Sequence, residues 1–292
     1  MAGSDNVVTH ADRDYVFHDA DFEWVRKLIY DHAGISLANS KRDMVYSRLA
    51  RRLRALRLDS FDEYLRFLTQ GDGSEWESFT NALTTNLTSF FREAHHFPIL
   101  ADHLRSRYQG RPLLIWCNAA STGEEPYSLA MTACEAFGTL KPPVRILASD
   151  IDTNVLAIAQ AGVYNAERVD SLDPERVRKF FLRGRGANAS RVRIKPELTE
   201  LIRFRQLNLL AREWPIRGPL DAIFCRNVMI YFDKRTQLEI LERFHPLLHG
   251  DGLLFAGHSE SFPKSAHLFE LMGKTVYRPV GASAFAAKGR PA

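Results

Sequence analysis

The spacing of hydrophobic residues divides this 292-residue chain into two parts. Up to about residue 94, hydrophobic positions recur every three or four residues, which predicts amphipathic helices. In the first helix Phe22, Val25, Leu28 and Ile29 share one face, and Gly34 ends the segment. Further helices are predicted at residues 41–58, 60–69 and 74–86, with Ser60 as a cap.

From residue 111 onward, short apolar runs alternate with helical segments, which is typical of a mostly parallel sheet covered by helices. Asp173, before Pro174, and Asp233 are predicted helix N-caps. The stretch 181–198 interrupts the alternation and is predicted to be a small β-hairpin insertion. The predicted strands are 113–117, 144–148, 202–207, 222–225, 253–256 and 275–278, and the predicted helices between them are 125–137, 154–161, 174–181 and 234–248.

Together these patterns predict an α/β fold with a mixed, mostly parallel sheet, preceded by a small all-α domain. The expected organisation is a disordered tail, a helical domain, a linker with a junction helix, an α/β domain and a second disordered tail. Their ranges are 1–17, 18–85, 86–110, 111–282 and 283–292, with the insertion at about 178–200.

Composition narrows the functional classes. With 45% hydrophobic and 25% charged residues, the chain can bury a full core. Its net charge of +4 suits an acidic partner without identifying one. Cys117, Cys134 and Cys225 lack metal-ligand spacing, so buried reduced thiols are expected. No apolar run reaches membrane-spanning length and no signal peptide is recognisable, so we expect a cytoplasmic protein without membrane insertion.

The most informative segment is IWCNAASTGEEPYSLAM. An apolar strand runs into a turn of small residues with Gly123, and a helix then starts at Glu124 or Glu125, with Pro126 in its first turn. Open α/β sheets bind nucleotide-like ligands here, outside the carboxyl ends of the strands. Because helix N-termini attract anions, two carboxylates at this point argue against a pyrophosphate. A cationic or hydroxyl-rich nucleoside fits better, and S-adenosylmethionine is both.

Two acidic positions are candidates for holding that nucleoside. Asp150 ends a strand about 27 residues after Gly123, where a carboxylate can accept hydrogen bonds from both ribose hydroxyls. The alternative role, capping the next helix, is assigned to Asp152. Glu125 is expected to face the positive charge of the ligand, and Glu124 to be an ordinary first-turn carboxylate. The turn lacks GxGxxG, which argues against NAD or FAD.

The segment LTTNLTSFFRE lies between the two parts of the chain, where ligand clefts are common. Asn86 and Thr88 offer neutral hydrogen-bonding groups, and Arg92 offers a fixed cation. Taken singly, helix capping or a surface ion pair would explain each of them. Their combination predicts a binding site.

Further candidates follow two later strands. In CRNVMIY, Arg226 and Asn227 come directly after a strand and Tyr231 follows one turn later, on the ligand-binding edge of the sheet. Asn208 and Leu209, at the end of another strand, belong to the same rim. Many methyltransferases that act on exocyclic amines carry an Asn/Asp-Pro-Pro-Tyr/Phe turn here. RNVMIY differs from it, which argues against an amine acceptor on a base.

These motifs together resemble the CheR family of bacterial chemotaxis receptor methyltransferases. The resemblance is carried by LTTNLTSFFREAHHFPIL, AASTGEEPYSLA, ASDIDTNVL, CRNVMIYFDKRTQ and GLLFAGHSESF, in the family's order between about Val16 and Pro279. It implies a Rossmann-like class I methyltransferase that esterifies glutamate side chains of chemoreceptors and releases S-adenosylhomocysteine. Arg92 and Tyr231 would lie near the methyl group and the incoming carboxylate. The implied cofactor-binding residues are Asn86, Thr88, Arg92, Glu125, Asp150, Asn208, Leu209, Arg226 and Asn227.

The implied reaction demands little acid–base chemistry from the protein. A glutamate carboxylate has a reference pKa of about 4.3, so it is already ionised at neutral pH and needs no general base. The protein must align it with the S–CH3 bond and exclude water. We expect no catalytic metal, and His95 and His96 are interpreted as structural. The alternatives are a methyltransferase acting on RNA or a small molecule, and a non-catalytic cofactor sensor or scaffold.

Two segments are candidates for receptor recognition. Residues 41–57 hold seven basic residues and one acid, and a solvated basic face is the plain alternative to a docking surface. The resemblance favours docking on the methylated helices of a receptor, and for the insertion it implies binding of a receptor's C-terminal pentapeptide in some members. Nucleic acid is not expected, because aromatic interleaving is missing, and a monomer is expected. The predicted apolar stripe of the basic helix is Val45, Leu49, Leu53 and Leu56, flanked by Lys41, Arg48, Arg51 and Arg52.

Overall fold

The computed structural model describes residues 14–281. Most of the tail predicted at 1–17, and all of the tail predicted at 283–292, lie outside the described residues. Within the described part of the first tail, Phe17 is buried and packs against Phe61, with ring centroids 4.3 Å apart. The chain divides into two compact units, one ending at Leu83 and one starting at Thr84, with residues 33–35 belonging to the second.

The described residues of the first unit form four helices. These are α1 (Asp19–Ala33), α2 (Arg42–Leu56), α3 (Phe61–Gln70) and α4 (Glu75–Leu83). Ser60, the predicted cap of α3, accepts a hydrogen bond from the backbone N–H of Glu63 at 3.2 Å. Of the stripe predicted in α2, Val45, Leu49 and Leu53 are buried, so the apolar periodicity located this face correctly.

The second unit is built on a seven-stranded sheet in the order β6-β2-β1-β7-β8-β10-β9. Its elements are α5 (His96–Arg107), β1 (Leu113–Cys117), α6 (Glu124–Phe137), β2 (Val144–Asp150), α7 (Thr153–Ala161), β3 (Val163–Asn165), α8 (Pro174–Phe180), β4 (Phe181–Arg183), β5 (Arg191–Ile194), α9 (Pro196–Thr199), β6 (Ile202–Gln206), β7 (Leu220–Cys225), α10 (Lys234–Phe244), β8 (Leu248–Ala256), β9 (Phe269–Gly273) and β10 (Val276–Pro279). The first five strands in the sheet are parallel, and β10 is antiparallel to both neighbours. The predicted mixed, mostly parallel sheet is confirmed. No helix within residues 14–281 has both the length and the apolar character needed to cross a membrane.

Side chains of β1 alternate between two cores on opposite faces of the sheet. Ile115 and Cys117 pack in the core that contains the apolar residues of α5, α6 and α7. Trp116 packs in the other core, with its ring centroid 5.4 Å from that of Phe244 in α10. From β1, successive strands extend through β2 to β6 on one side and through β7 to β8 on the other. Such a reversal of strand order creates the ligand crevice of open α/β sheets.

The insertion predicted as a β-hairpin is instead a three-stranded antiparallel sheet in the order β3-β5-β4. Its first strand, β3, lies before the predicted insertion at about 178–200, and Val163 in β3 pairs with Arg193 in β5. The sequence pattern missed β3 because three residues are too few to show an alternation of apolar and polar positions.

Predictions in the C-terminal part of the sheet domain also differ from the structure. The helix predicted at 234–248 ends at Phe244, because Pro246 has no backbone donor and the chain continues through a short 3-10 turn. Strand β8 consequently starts at Leu248 instead of residue 253. Strand β9 was not predicted, because Phe269 is its one buried residue and no apolar alternation marks it. The three cysteines are buried and free of disulfides, as predicted.

Candidate cofactor and active site

The turn between β1 and α6 requires its glycine. Gly123 has a φ of +99°, and a Cβ there would lie 2.8 Å from the Tyr164 hydroxyl and 2.9 Å from the Ala159 Cβ. Earlier in the turn, Ser121 also has a positive φ of 48°. Its backbone N–H donates to the Asp150 carboxylate at 2.8 Å. The turn is therefore fixed to the end of β2.

The two aspartates after β2 have different roles. Asp152 caps α7, since its carboxylate accepts hydrogen bonds from the backbone N–H groups of Asn154 at 2.9 Å and Val155 at 3.3 Å, which confirms the predicted cap. Asp150 is buried and accepts from the N–H groups of Ser121 and Asp152. Burial raises the pKa of Asp150 to about 6, although both hydrogen bonds act to lower it. An ionised carboxylate offers about four acceptor sites, so capacity remains for ribose hydroxyls.

Asp152 also fixes the segment that carries Asn86. The Asn86 side-chain amide donates to the Asp152 carboxylate at 2.8 Å, and the Thr84 hydroxyl donates to the same oxygen at 2.6 Å. The Ser121 hydroxyl donates to the Asn86 carbonyl at 3.3 Å. Asn86 thus lies between the turn after β1 and the end of β2, close to Asp150.

The two glutamates at the start of α6 have separate partners. Glu124 is fully buried and forms an ion pair with Arg168, which also donates to the Thr88 carbonyl at 2.9 Å. Glu125 forms an ion pair with Arg226, which follows β7. The sequence predicted that Glu125 faces the positive charge of the ligand, and it did not reveal that Arg226 is the counter-ion of Glu125 in the structure.

Arg226 is the buried centre of the site. It donates to Glu125 and to the Arg92 carbonyl, and one of its nitrogens lies 3.2 Å from a Glu93 carboxylate oxygen. Burial would lower the pKa of Arg226, but the two glutamates raise it, so this guanidinium stays charged. Its Nε has no hydrogen-bond partner within residues 14–281.

Glu93 is a member of the site that sequence reasoning missed, although it ends the quoted motif LTTNLTSFFRE. Its carboxylate accepts from the Asn227 side-chain amide at 3.3 Å, and from both the backbone N–H and the Nδ1 of His258 at 3.1 Å. Burial alone would raise the pKa of Glu93, but the charge of Arg226 and the hydrogen bonds from His258 lower it to about 2. Glu93 is therefore an anion throughout the physiological range.

Glu260, in the motif GHSES, was also missed and holds the loops after β7 and β8 together. Its buried carboxylate accepts backbone N–H groups of Asn227 at 2.9 Å, Met229 at 2.8 Å and Gly257 at 2.6 Å. Burial raises the pKa of Glu260, against the effect of these hydrogen bonds. Asn227 has a left-handed φ of 57°. Tyr231 is half-buried and closes the 3-10 turn that starts at Met229.

Asn208 and Leu209 follow β6, at the edge of the sheet formed by the carboxyl ends of the parallel strands. Leu207 donates its backbone N–H to the Asp150 carbonyl at 2.9 Å, so the following residues, Asn208 and Leu209, emerge beside the end of β2. Asn208 accepts from the backbone N–H of Leu210 at 2.9 Å, and Leu209 is buried. Within residues 14–281, no hydrogen bond joins the Tyr231 hydroxyl to another predicted site residue.

One group near Glu93 has the composition of a metal site. Glu93, His95 and His96 each offer a ligand atom, and these atoms lie within 4.8 Å of one another. His96 is fully buried and bonds to the Lys274 carbonyl at 2.8 Å through Nε2, while its Nδ1 has no hydrogen-bond partner within the described chain. Burial lowers the pKa of His96 to about 4, so its ring is neutral at pH 7. Both Glu93 oxygens are already occupied by Arg226, Asn227 and His258, so the arrangement favours a hydrogen-bonded network.

Buried polar groups with unused hydrogen-bonding capacity follow β1 and β7. Asn118 is 3% exposed, and both polar atoms of its amide lack a partner in the described part of the chain, as does the Arg226 Nε. Asn118 donates its backbone N–H to the Phe224 carbonyl at 3.0 Å, so the two groups lie on neighbouring strands. Each such group costs about 1–3 kcal/mol when left unsatisfied. The ribose and amino-acid groups of S-adenosylmethionine supply matching donors and acceptors, so the site fits this cofactor.

Two family models and several curated relatives match most of the chain. Residues 20–84 match the family model of the CheR methyltransferase all-alpha domain, and residues 86–278 match the CheR methyltransferase SAM binding domain. The chain is 58% identical to chemotaxis protein methyltransferase 2 of Pseudomonas aeruginosa, over 89% of this chain and 92% of that protein. It is 51% identical to the chemotaxis protein methyltransferase of Salmonella typhimurium, over 94% and 96% of the two chains, and 54% identical to that of Escherichia coli, over 89% and 90%. The chain therefore belongs to the CheR family of S-adenosylmethionine-dependent methyltransferases.

Proposed function

We propose that this methyltransferase esterifies glutamate side chains on the cytoplasmic helices of chemoreceptors. The observation that carries the proposal is the Arg226 network, which joins Glu125, Glu93 and the Arg92 backbone at the carboxyl edge of the sheet. It provides a buried anionic wall for a cationic cofactor beside an arginine that can receive an anionic substrate. High identity to chemotaxis protein methyltransferases over nearly the whole chain supports the same role here.

The cofactor-binding side is proposed to combine residues at or after the ends of β1, β2, β6 and β7 with the segment 86–92. S-adenosylmethionine, when bound, supplies a methyl group on a positively charged sulfur. Asp150 would accept hydrogen bonds from the ribose, and Asn86 would line the same end because Asp152 fixes its amide. Glu125 and Arg226 would hold the amino-acid end. The other residues proposed to contact the cofactor are Thr88, Arg92, Asn208, Leu209 and Asn227.

The acceptor side is made by Arg92 and Tyr231. The half-buried Arg92 guanidinium donates to the Leu87 carbonyl at 2.8 Å, which uses one of its five N–H donors. The other donors can orient an incoming carboxylate without holding it so tightly that its nucleophilicity is lost. Tyr231 can contribute one further hydrogen bond. Because the glutamate is already ionised, the rate enhancement would come from alignment of its carboxylate with the S–CH3 bond and from exclusion of water.

Methyl transfer tests the proposal directly. The protein would be incubated with methyl-labelled S-adenosylmethionine and chemoreceptor, and base-labile label on receptor glutamates is expected. Folded Asp150→Ala and Arg92→Ala variants should lose most of this activity, whereas Glu270→Gln, which removes an exposed ion pair with Arg278, should not. Label on RNA or a small molecule, but not on receptor, would support the alternative substrate class. Full activity of both alanine variants would contradict the proposed geometry.

The basic face of α2 is proposed to dock on the receptor. Arg51 is exposed, whereas Arg52 donates twice to Glu75 at 2.7 and 2.8 Å, so Arg52 stabilises the helical unit. Arg51→Glu should raise the KM for receptor several-fold and leave the cofactor Kd unchanged. Arg66→Glu, on α3, is the matched control because Arg66 forms an exposed pair with Asp62. Equal loss of receptor methylation and cofactor binding in Arg51→Glu would indicate misfolding instead.

The small sheet is proposed to bind the receptor's C-terminal pentapeptide. Its edge strands are β3 and β4, and an extended peptide can add a strand to such an edge. Arg183 in β4 and Arg191 in β5 are exposed and would suit an acidic peptide. Calorimetric titration with the pentapeptide should give saturable binding that Arg183→Glu weakens. Absence of any heat of binding would remove this part of the proposal.

A further inference from the structure

Arg92 lies in an unusual backbone segment. The residues on either side of it, Phe91 and Glu93, have φ values of 53° and 55°. This left-handed region is uncommon for residues other than glycine and costs of the order of 1 kcal/mol or more per residue. Without external contacts, the segment would relax to a conformation that points Arg92 elsewhere. The contacts that hold it therefore decide where the guanidinium lies.

Those contacts come from three other parts of the chain. The backbone N–H of Phe91 donates to the Ser128 hydroxyl at 2.9 Å, and Arg226 donates to the Arg92 carbonyl. The Glu93 carboxylate then joins the loop after β7, through Asn227, to the loop after β8, through the backbone and ring of His258. Glu93 is the residue that connects the strained segment to both loops.

We propose that Glu93 is a positioning residue, which holds the Arg92 backbone in its strained conformation so that the guanidinium faces the incoming carboxylate. The inference rests on the proposed acceptor role of Arg92. Glu93 itself touches neither substrate nor cofactor in this assignment. It acts through Arg226, Asn227 and His258, which meet at its two oxygens.

The contacts of Glu93 demand a carboxylate. All of them are donors: the Asn227 amide, the His258 N–H and Nδ1, and the guanidinium of Arg226. A glutamine has the same shape, but its NH2 group is a donor. It would therefore be placed against the N–H donors that the carboxylate now accepts from. Arg226 would keep Glu125 as its counter-ion, so the buried arginine would stay neutralised and the fold would persist. The damage should therefore fall on the position of Arg92 more than on cofactor binding.

The test compares Glu93→Gln and Glu93→Asp with the parent and with Glu270→Gln, whose exposed ion pair is unrelated to the site. Steady-state methylation of receptor gives kcat and KM, calorimetry gives the cofactor Kd, and hydrogen exchange reports on the amides of residues 89–95. In Glu93→Gln, kcat should fall about 10- to 100-fold, the scale expected for a displaced orienting group. The cofactor Kd should rise by a smaller factor than kcat falls, because Glu125 keeps its carboxylate, and exchange of the segment should accelerate about tenfold. Glu93→Asp, which keeps the charge on a shorter side chain, should recover part of the loss in kcat.

Each outcome either supports or overturns the positioning role of Glu93. Parental kcat and unchanged exchange in folded Glu93→Gln would overturn the inference, as would an equal loss of kcat and cofactor affinity. If Glu93→Gln does not fold, Glu93→Asp is the test. A partial loss of kcat in Glu93→Asp would support the inference, and a kcat and hydrogen exchange equal to those of the parent would overturn it. If the parent itself fails to esterify receptor, the proposed function fails. Hydrogen exchange then still tests whether Glu93 holds the segment, and unchanged exchange would overturn that role.

Discussion

The protonation state of Asp150 should control cofactor affinity just below neutral pH. Burial raises the pKa of this carboxyl to about 6, while an exposed aspartate titrates at about 3.9. Ribose hydroxyls are donors and need the ionised carboxylate, whose other acceptor sites are used by the N–H groups of Ser121 and Asp152. The perturbations are a change of pH from 8 to 5 and the variant Asp150→Asn.

The magnitude follows from that pKa. If only the ionised form of Asp150 binds the cofactor, the apparent Kd is the intrinsic Kd multiplied by 1 + 10^(pKa − pH). For a pKa of about 6, the affinity for the cofactor is then about 10% lower at pH 7 than at high pH. At pH 5 it is about tenfold lower, which corresponds to about 1.4 kcal/mol of binding free energy. Asp150→Asn should bind weakly at every pH and show no slope, because an amide does not titrate.

Stability without cofactor should show the opposite dependence on pH. Because the folded pKa of Asp150 lies above the unfolded value, the native state binds more protons than the unfolded state between about pH 4 and pH 6. The contribution of Asp150 to the free energy of unfolding is therefore largest below pH 4 and is lost as the pH rises through 6. The loss is about 3 kcal/mol for a shift of about two units.

Isothermal calorimetry at pH 5, 6, 7 and 8 measures the cofactor Kd, with urea unfolding of parent and Asp150→Asn at the same pH values. Differences between the two proteins isolate the contribution of Asp150 from those of other titrating groups. A parental Kd that stays constant between pH 5 and pH 7 would refute the reasoning. The same conclusion would follow if Asp150→Asn kept the parental slope.

Three further substitutions test the fold and the frame of the site. Gly123→Ala should destabilise the fold by about 2 kcal/mol in urea unfolding, because its φ of +99° is strained and its Cβ would meet neighbouring atoms; parental stability would contradict this. Asp221→Asn should cost about 2–3 kcal/mol, because the fully buried carboxylate accepts twice from Arg111 at 2.7 and 3.0 Å; a loss below about 0.5 kcal/mol would show that the pair is dispensable. Asp152→Ala should lower stability by about 1–2 kcal/mol through the lost cap, and it should weaken cofactor binding because Asn86 loses its anchor. Unchanged calorimetric affinity would remove Asn86 from the cofactor site.

The sequence predicted those parts of the fold that depend on local chemistry. Strand β1 was located to the residue because it is a continuous apolar run, and the cap at Asp152 followed from its position before a helix. The contacts of Arg226 could not be predicted, because Glu125 lies 101 positions away in the sequence. The bond between Glu93 and the backbone of His258 spans 165 positions. A single sequence carries the identity of such residues, but not which distant strand ends bring them together.

The charges of the site suit both halves of the proposed reaction. Arg226 between Glu93 and Glu125 leaves this cluster with one net negative charge, which favours a cationic ligand over a neutral one. In the proposed reaction, Arg92 would present the opposite charge to the acceptor carboxylate. Methyl transfer removes the positive charge from the sulfur and the negative charge from the glutamate, so both products are neutral where both reactants were charged. The electrostatic attraction that assembles the reactants is therefore missing from the products, which favours their release from the same set of side chains.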